Sequence, residues 1–333
     1  MLRYNFTVLG RIVAVLSVVG CVLAGAVLSA PAQAAGFPEK GKAIRVIVGY
    51  AAGGTTDVGA RILASGLEKE LGTPVVVGNV PGASGQIALT ALTQAKPDGY
   101  TIGSVNFPGV LVQYLDPVWK AVYTRKSFQL LALHVIDPSL FAVKDDSPFK
   151  SLKDVIDAAK AAPKKVTITI GGIQGDDQFG ILQLQRMTGA QFAMVTFSQG
   201  GASPLMSVLG GKIDVFCGNV GDVLSQFNSR EMRILGIMDN EESAFYPGVK
   251  TFEAQGYKIY NASSRGYVAP QGTPKEVVDI LSSAIKKVMS TDDHKKKMAA
   301  MGLPIRYMDP VHYSKYWDEC EKLAAELMPL AKE

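Results

Sequence analysis

The chain has 333 residues, is 47% hydrophobic and 19% charged, and carries a net charge of +4. That length suits two domains or one large one, and the composition is that of a globular protein with substantial cores. The weak, scattered positive charge excludes the concentrated basic surface that nucleic-acid binding requires.

The chain opens with Arg3 and Arg11 around the start of the 17-residue apolar run "IVAVLSVVGCVLAGAVL", followed by Ala32-Gln33-Ala34. A basic start, an apolar stretch and a small-residue A-x-A site predict a cleaved secretory signal peptide over residues 1–34. Gly20, Gly25 and Pro31 weaken the competing reading, an uncleaved anchor helix, and Cys21 lies inside the run rather than at its end, as a lipoprotein would need. Cleavage removes two of the 34 basic residues and none of the 30 acids, leaving +2. Cys217 ends a strand-like run and Cys320 lies on a late helix, so no disulfide is expected between them. With no C-x-x-C, and with His134, His294 and His312 far apart in sequence, no metal site is expected.

From Ala43 strands and helices alternate. "IRVIVGY" reads as a strand, the turn "AAGGTTD" follows, and Val58, Ile62, Leu67 and Leu71 mark a helix that Gly72 ends in a left-handed cap. "PVVVGNV", the turn "PGASG", a helix through "QIALTALTQA", the turn "KPDG" and "YTIGSVN" complete a βαβαβ unit, predicting a parallel sheet with right-handed crossovers. A second set follows "LLALHVIDPSLFAVK": a helix opened by Ser151 with Asp154 as a capping box, "KVTITI", the turn "GGIQGDD", a helix to Thr188, "FAMVTF", "SQGGASPLMSVLGG", "KIDVFCGN" and "MRILGIM". The remainder reads as helical, with Thr273 as cap and Pro274 in the first turn of "KEVVDILSSAIKKVM", a short helix ending at Gly302, and the long helix "PVHYSKYWDECEKLAAELM". In "DDHKKKM" the acids interrupt the lysines, which describes a solvated helix face.

The stretch from Ile44 to Gly103, "IRVIVGYAAGGTTDVGARILASGLEKELGTPVVVGNVPGASGQIALTALTQAKPDGYTIG", resembles the opening of the tripartite tricarboxylate transporter receptors, the Bug-type solute-binding proteins. "GGIQGDDQFG", "VTFSQGGASPLMSVLGGKIDVFCGN" and "RGYVAPQGTPKEVVDIL" agree with that family in order and spacing, and the similarity spans about residues 38–330. The resemblance implies an α/β type II periplasmic-binding-protein fold, two lobes joined by a hinge around a ligand cleft. Lobe 1 is expected to be discontinuous, residues 35–138 plus 240–333, and lobe 2 to run over 139–239. It further implies a monomeric periplasmic receptor without cofactor, holding a small organic carboxylate or an aromatic acid or amide, and membrane permease subunits as its partner. A receptor that reports to a signalling partner, and an exported hydrolase, are the alternatives.

Open α/β sheets hold ligands beyond the carboxyl ends of their strands, where helix N-termini present unpaired N–H groups to an anion. The expected contacts are therefore Tyr50, Ala52, Gly53, Gly54, Thr55, Thr56 and Asp57 on the first turn, Ala83 and Ser84 on the second, and Phe107 after the third strand. Gly175, Asp176, Asp177, Phe197, Gln199, Gly200 and Asn219 are expected from the second set. Asp57 also reads as a helix cap, and Phe107 as core. Arg45 and Arg61 read as structural ion-pair partners, so the turns are expected to bind an anion without arginine. Where many relatives read Ser-Asp-Asp-His, this chain has Gly175-Asp176-Asp177-Gln178, which predicts a less polar site. No G-x-S-x-G elbow and no nucleophile–base pair accompanies these turns, which weighs against hydrolysis.

Overall fold

The computed structural model describes residues 36–197 and 203–332, and the fold lies in the unit Pro38–Glu333. The expected leader, residues 1–34, lies outside the described residues. Strand β1 (Ile44–Val48) leads through the glycine turn into α1 (Thr55–Leu71), which Gly72 ends at φ 65°. β2 (Val75–Asn79), α2 (Gln86–Thr93) and β3 (Thr101–Phe107) follow, and β1 pairs in parallel with both β2 and β3, as the βαβαβ pattern predicts. Helix α3 (Gly109–Leu115) then delivers the chain to β4 (Phe128–Lys144), a strand of 17 residues.

β4 joins two sheets. The second set contributes α4 (Leu152–Ala161), β5 (Thr167–Ile170), α5 (Asp176–Thr188), β6 (Ala193–Thr196), α6 (Pro204–Leu209), β7 (Phe216–Asn219), α7 (Leu224–Asn228) and β8 (Met232–Ile237). Ser151 and Asp154 form the expected reciprocal cap of α4. The chain returns through β9 (Ala262–Pro270), then α8 (Lys275–Ser290), α9 (Asp292–Ala300), β10 (Ile305–Met308) and α10 (Pro310–Leu327). From Phe128 to Pro138, β4 lies against β9; from Ser139 to Lys144 it pairs with β7 and β8. The exchange falls at Pro138, a residue with no N–H to donate to a ladder.

β9 and β10 correct the reading of the last third as helical. β9 is the central antiparallel strand between β3 and β4, and its run "ASSRGYVAP" lacks the polar–apolar alternation of a one-faced strand because it is buried along most of its length. Pro274, not Thr273, occupies the N-cap of α8, and the Thr273 hydroxyl donates back to the Pro270 carbonyl at 2.8 Å. Apolar clusters fill both halves: Phe107, Tyr313 and Trp317 anchor one beneath α10, while Phe141, Phe192 and Phe252 anchor another between α4, α5 and the second sheet. Cys217 and Cys320 are both free thiols. The fold also brings together His134 and His294, which sequence separation had hidden; their Nε2 atoms lie 3.0 Å apart in the core.

Candidate functional site

The glycine turns gather at the carboxyl ends of β1, β2 and β3. Gly54 is the N-cap of α1, and no side chain bonds the free N–H groups of that first turn. Ala52, Gly53 and Gly54 are exposed and Thr55 is half-buried, so the turn presents backbone to solvent. Gly53 stands at φ 85°, which only glycine adopts without strain. Asp57 turns inward instead: its carboxylate accepts from the Gly53 N–H (2.9 Å), Arg61 Nε (2.9 Å) and Asn79 Nδ2 (2.8 Å). Burial pushes this carboxyl up, but the three donors win and hold it at about 2. Asp57 therefore shapes the turn from behind, and Arg61 forms the structural ion pair expected of it.

On the second turn, Ala83 and Ser84 stand at φ 46° and 53°, with Gly82 and Gly85 on either side also at positive φ. The Ser84 carbonyl is bound by Tyr50 Oη (3.1 Å) and Gln113 Nε2 (2.9 Å), which ties both turns to α3. Tyr50 is half-buried, and burial pushes its hydroxyl up to about 12, so it stays a neutral donor to the Ser84 carbonyl. Phe107 corrects the expectation of a cleft contact. Its neighbour Asn106 donates to Thr56 Oγ1 at 2.8 Å, and strand alternation sends the Phe107 ring to the other face, edge-on to Trp317 at 4.8 Å between centroids.

From the second set, Gly175 is the N-cap of α5, again with no side-chain cap. Asp177 accepts from the Gly171 N–H at 2.9 Å, closing its loop much as Asp57 closes the first. Asp176 accepts from Asn219 Nδ2 (2.8 Å) and Ser139 Oγ (3.4 Å), while the same Asn219 amide donates to the Asp137 carbonyl at 3.0 Å. Asn219 thus spends its amide donors on the β4 backbone and on α5. Burial raises both Asp176 and Asp177, and each is raised further, or held back, by its neighbours: the Asp176 charge lifts Asp177, and Asn219 restrains Asp176. Phe197 is half-buried at the end of β6. Gln199 and Gly200 lie outside the described residues.

Two expectations are overturned by position. Gln178 does not tune the cleft: it is buried, its Oε1 accepts from the Gln174 N–H (2.6 Å), and its Nε2 donates to the Ala331 carbonyl (3.1 Å) of the C-terminal segment. The site is also not free of arginine. Arg265, from the unforeseen β9, sits at its floor with Nη2 3.2 Å from Thr55 Oγ1, and both Nη atoms 3.4 Å from Asp137 Oδ2. Asp137 Oδ1 accepts from the Gly221 N–H at 3.2 Å. Burial raises the Asp137 carboxyl to about 7; Arg265 opposes that, and the negative charges of Asp222 and Asp176 reinforce it. Arg265 Nε and Asn106 Oδ1 are buried polar atoms with no hydrogen-bond partner among the described residues. One signal for Arg265 was available: an arginine inside a buried strand run must find an anionic partner, because burying it alone is prohibitive.

A family model described as the tripartite tricarboxylate transporter family receptor matches residues 59–328. The chain belongs to this family. It is 31% identical over 314 residues to a UPF0065 protein of Cupriavidus necator, covering 92% of this chain and 93% of that one. It is 29% identical to protein BugT of Bordetella pertussis, covering 86% and 88% respectively. A TctC solute-binding protein from Polaromonas superposes with a TM-score of 0.77 at 24% identity, over 88% of this chain and 99% of that one. The periplasmic binding protein BugD superposes at 0.70 and 24%, covering 89% and 99%. The fold is accordingly the two-lobed α/β architecture of periplasmic solute-binding proteins, and the chain is a TctC-type receptor. No described helix is long and apolar enough to cross a membrane.

Proposed function

We propose that this receptor works in the periplasm, closing residues 35–138 with 240–333, as one lobe, and residues 139–239, as the other, on a small organic carboxylate. The loaded form passes its ligand to the permease subunits of a tripartite tricarboxylate-type transporter, with no chemical step on the way. The observation that carries this reading is Arg265: a buried guanidinium with an unpartnered Nε, bonded to Thr55 at the open N-terminus of α1. Hydrogen bonds to a charged group contribute about 1.5–3 kcal/mol each, and an uncapped helix start adds roughly 0.3–1 kcal/mol, up to about 2 when partly buried. The partner switch at Pro138 and Ser139 supports a hinge there, and the Asp137 and Asn219 contacts support closure across it. Solved proteins of this fold hold small carboxylates: a MatC from Rhodopseudomonas palustris is bound to malate, and another protein of that organism to adipate.

The test is thermal melting of protein refolded from denaturant, to strip any carried ligand, against dicarboxylates, tricarboxylates, aromatic acids and their amides. A ligand at 100 times its dissociation constant stabilises by about 2.7 kcal/mol, a rise of several degrees. Arg265→Met should abolish the rise while the variant still folds, and the ligand should be recovered chemically unchanged. No response to any acid in the panel would overturn the carboxylate reading.

A further inference from the structure

The hinge strands have two faces. Alternation along β4 turns Asp137 toward Arg265, and sends Ile136 and Pro138 to the opposite side. On that opposite side lies a cavity of about 490 Å³, with walls formed by Phe107, Phe179, Met238, Met308, Tyr316 and Leu323. Neither Arg265 nor Thr55 nor Asp176 lines it, so it is distinct from the glycine-turn cleft. Its volume falls in the range of about 300–1,000 Å³ typical of small-molecule sites.

Several polar groups on its walls are already engaged. Arg306 holds Asp239 through contacts of 2.6 and 3.3 Å, Tyr316 Oη lies 2.5 Å from Ser264 Oγ, and the Asn261 amide donates to Ser139 Oγ and the Asp176 carbonyl, both at 2.7 Å. A ligand buried here meets aromatic and aliphatic surface with few open hydrogen-bond partners, so its body must be apolar. The rim differs. Lys258 is exposed and has no ion-pair partner among the described residues, and Glu319, also at the rim, disfavours a second negative group.

We infer that this cavity is a second small-molecule site, taking an aromatic or branched apolar body with a single anionic head that Lys258 receives. Phe179 and Met238 come from the side of the hinge that carries the second sheet, and Met308 and Tyr316 from the side that carries α10. The width of the cavity therefore follows the lobe angle, and an occupant biases closure of the cleft.

The experiment titrates 8-anilinonaphthalene-1-sulfonate into the protein and displaces it with 4-phenylbutyrate or 4-phenylbutylamine. One saturable site is expected, with the acid at least tenfold more effective than the amine, and Lys258→Glu removing that preference. Gln183→Trp, at a half-buried position lining the cavity, should abolish binding without changing the melting temperature. Cys320 also lines the cavity, and burial pushes its thiol up to about 12, so its slow alkylation at pH 9, read by mass spectrometry, should slow further when the probe is bound. This last readout needs no plugging variant. Absence of saturable binding, binding indifferent to Gln183→Trp, a preference for the amine, or an unchanged alkylation rate at Cys320 would overturn the assignment.

Discussion

Asp137 offers the sharpest test of the site's electrostatics. Its carboxyl is 1% exposed and titrates at about 7 instead of 3.8, although a guanidinium lies 3.4 Å away. A carboxyl whose folded value is raised contributes stability that is fully present below the unfolded value and is lost as pH rises through the folded value. At pH 5 the folded state binds nearly a full proton that the unfolded chain has released, whereas at pH 8 neither state holds it. The difference in that contribution between the two conditions is roughly 2.5 kcal/mol, taking about 1.36 kcal/mol per pH unit over the titrating range. Asp137→Asn removes the titration while keeping shape and the acceptor for the Gly221 N–H. Urea unfolding at pH 5, 6, 7 and 8 should show wild type losing stability relative to the variant by about that amount as pH rises, whatever the variant's own offset from losing the ion pair. Wild-type and variant profiles that run parallel over this range would refute the claim that burial outweighs Arg265.

The buried histidines should act with the opposite sign. Burial lowers His134 to about 3, helped by His294 and Arg265, and lowers His294 to about 4 against the opposing charge of Asp293, so stability present above 6.5 is lost as pH falls toward those values, and His294→Gln should flatten that loss in melts between pH 4 and 6.5. A carboxylate ligand bound beside Arg265 should bind more weakly above pH 7, because Asp137 then carries a competing charge; calorimetric titration at pH 6 and 8 reads this, with Asp137→Asn insensitive to the change. Gly66→Ala places a Cβ 2.2 Å from Val288 Cγ1 between α1 and α8, and overpacking of this kind costs about 1–3 kcal/mol. Val288→Ala in the same chain should recover much of that loss, measured by a double-mutant cycle in urea.

The legible parts of this protein are those written locally. Each strand–turn–helix step is set by residues within some thirty positions of one another, so β1 to β3, the Ser151 cap and the left-handed glycine at 72 could all be read directly. The turn residues could be placed at the strand ends for the same reason. What they do there depends on direction, and direction is set by partners far along the chain. Asn219 is occupied because β7 pairs with β4 at Ser139, which brings its amide to the Asp137 carbonyl and the Asp176 carboxylate. Arg265 reaches Thr55 at the start of α1 only through two registers, opposite Asn106 on β3 and Val135 on β4, separated from it by 159 and 130 positions. No spacing rule reaches that far. The glycine turns are therefore written plainly in the sequence, while the buried arginine beside them comes from a strand whose interrupted pattern conceals both the strand and the arginine within it.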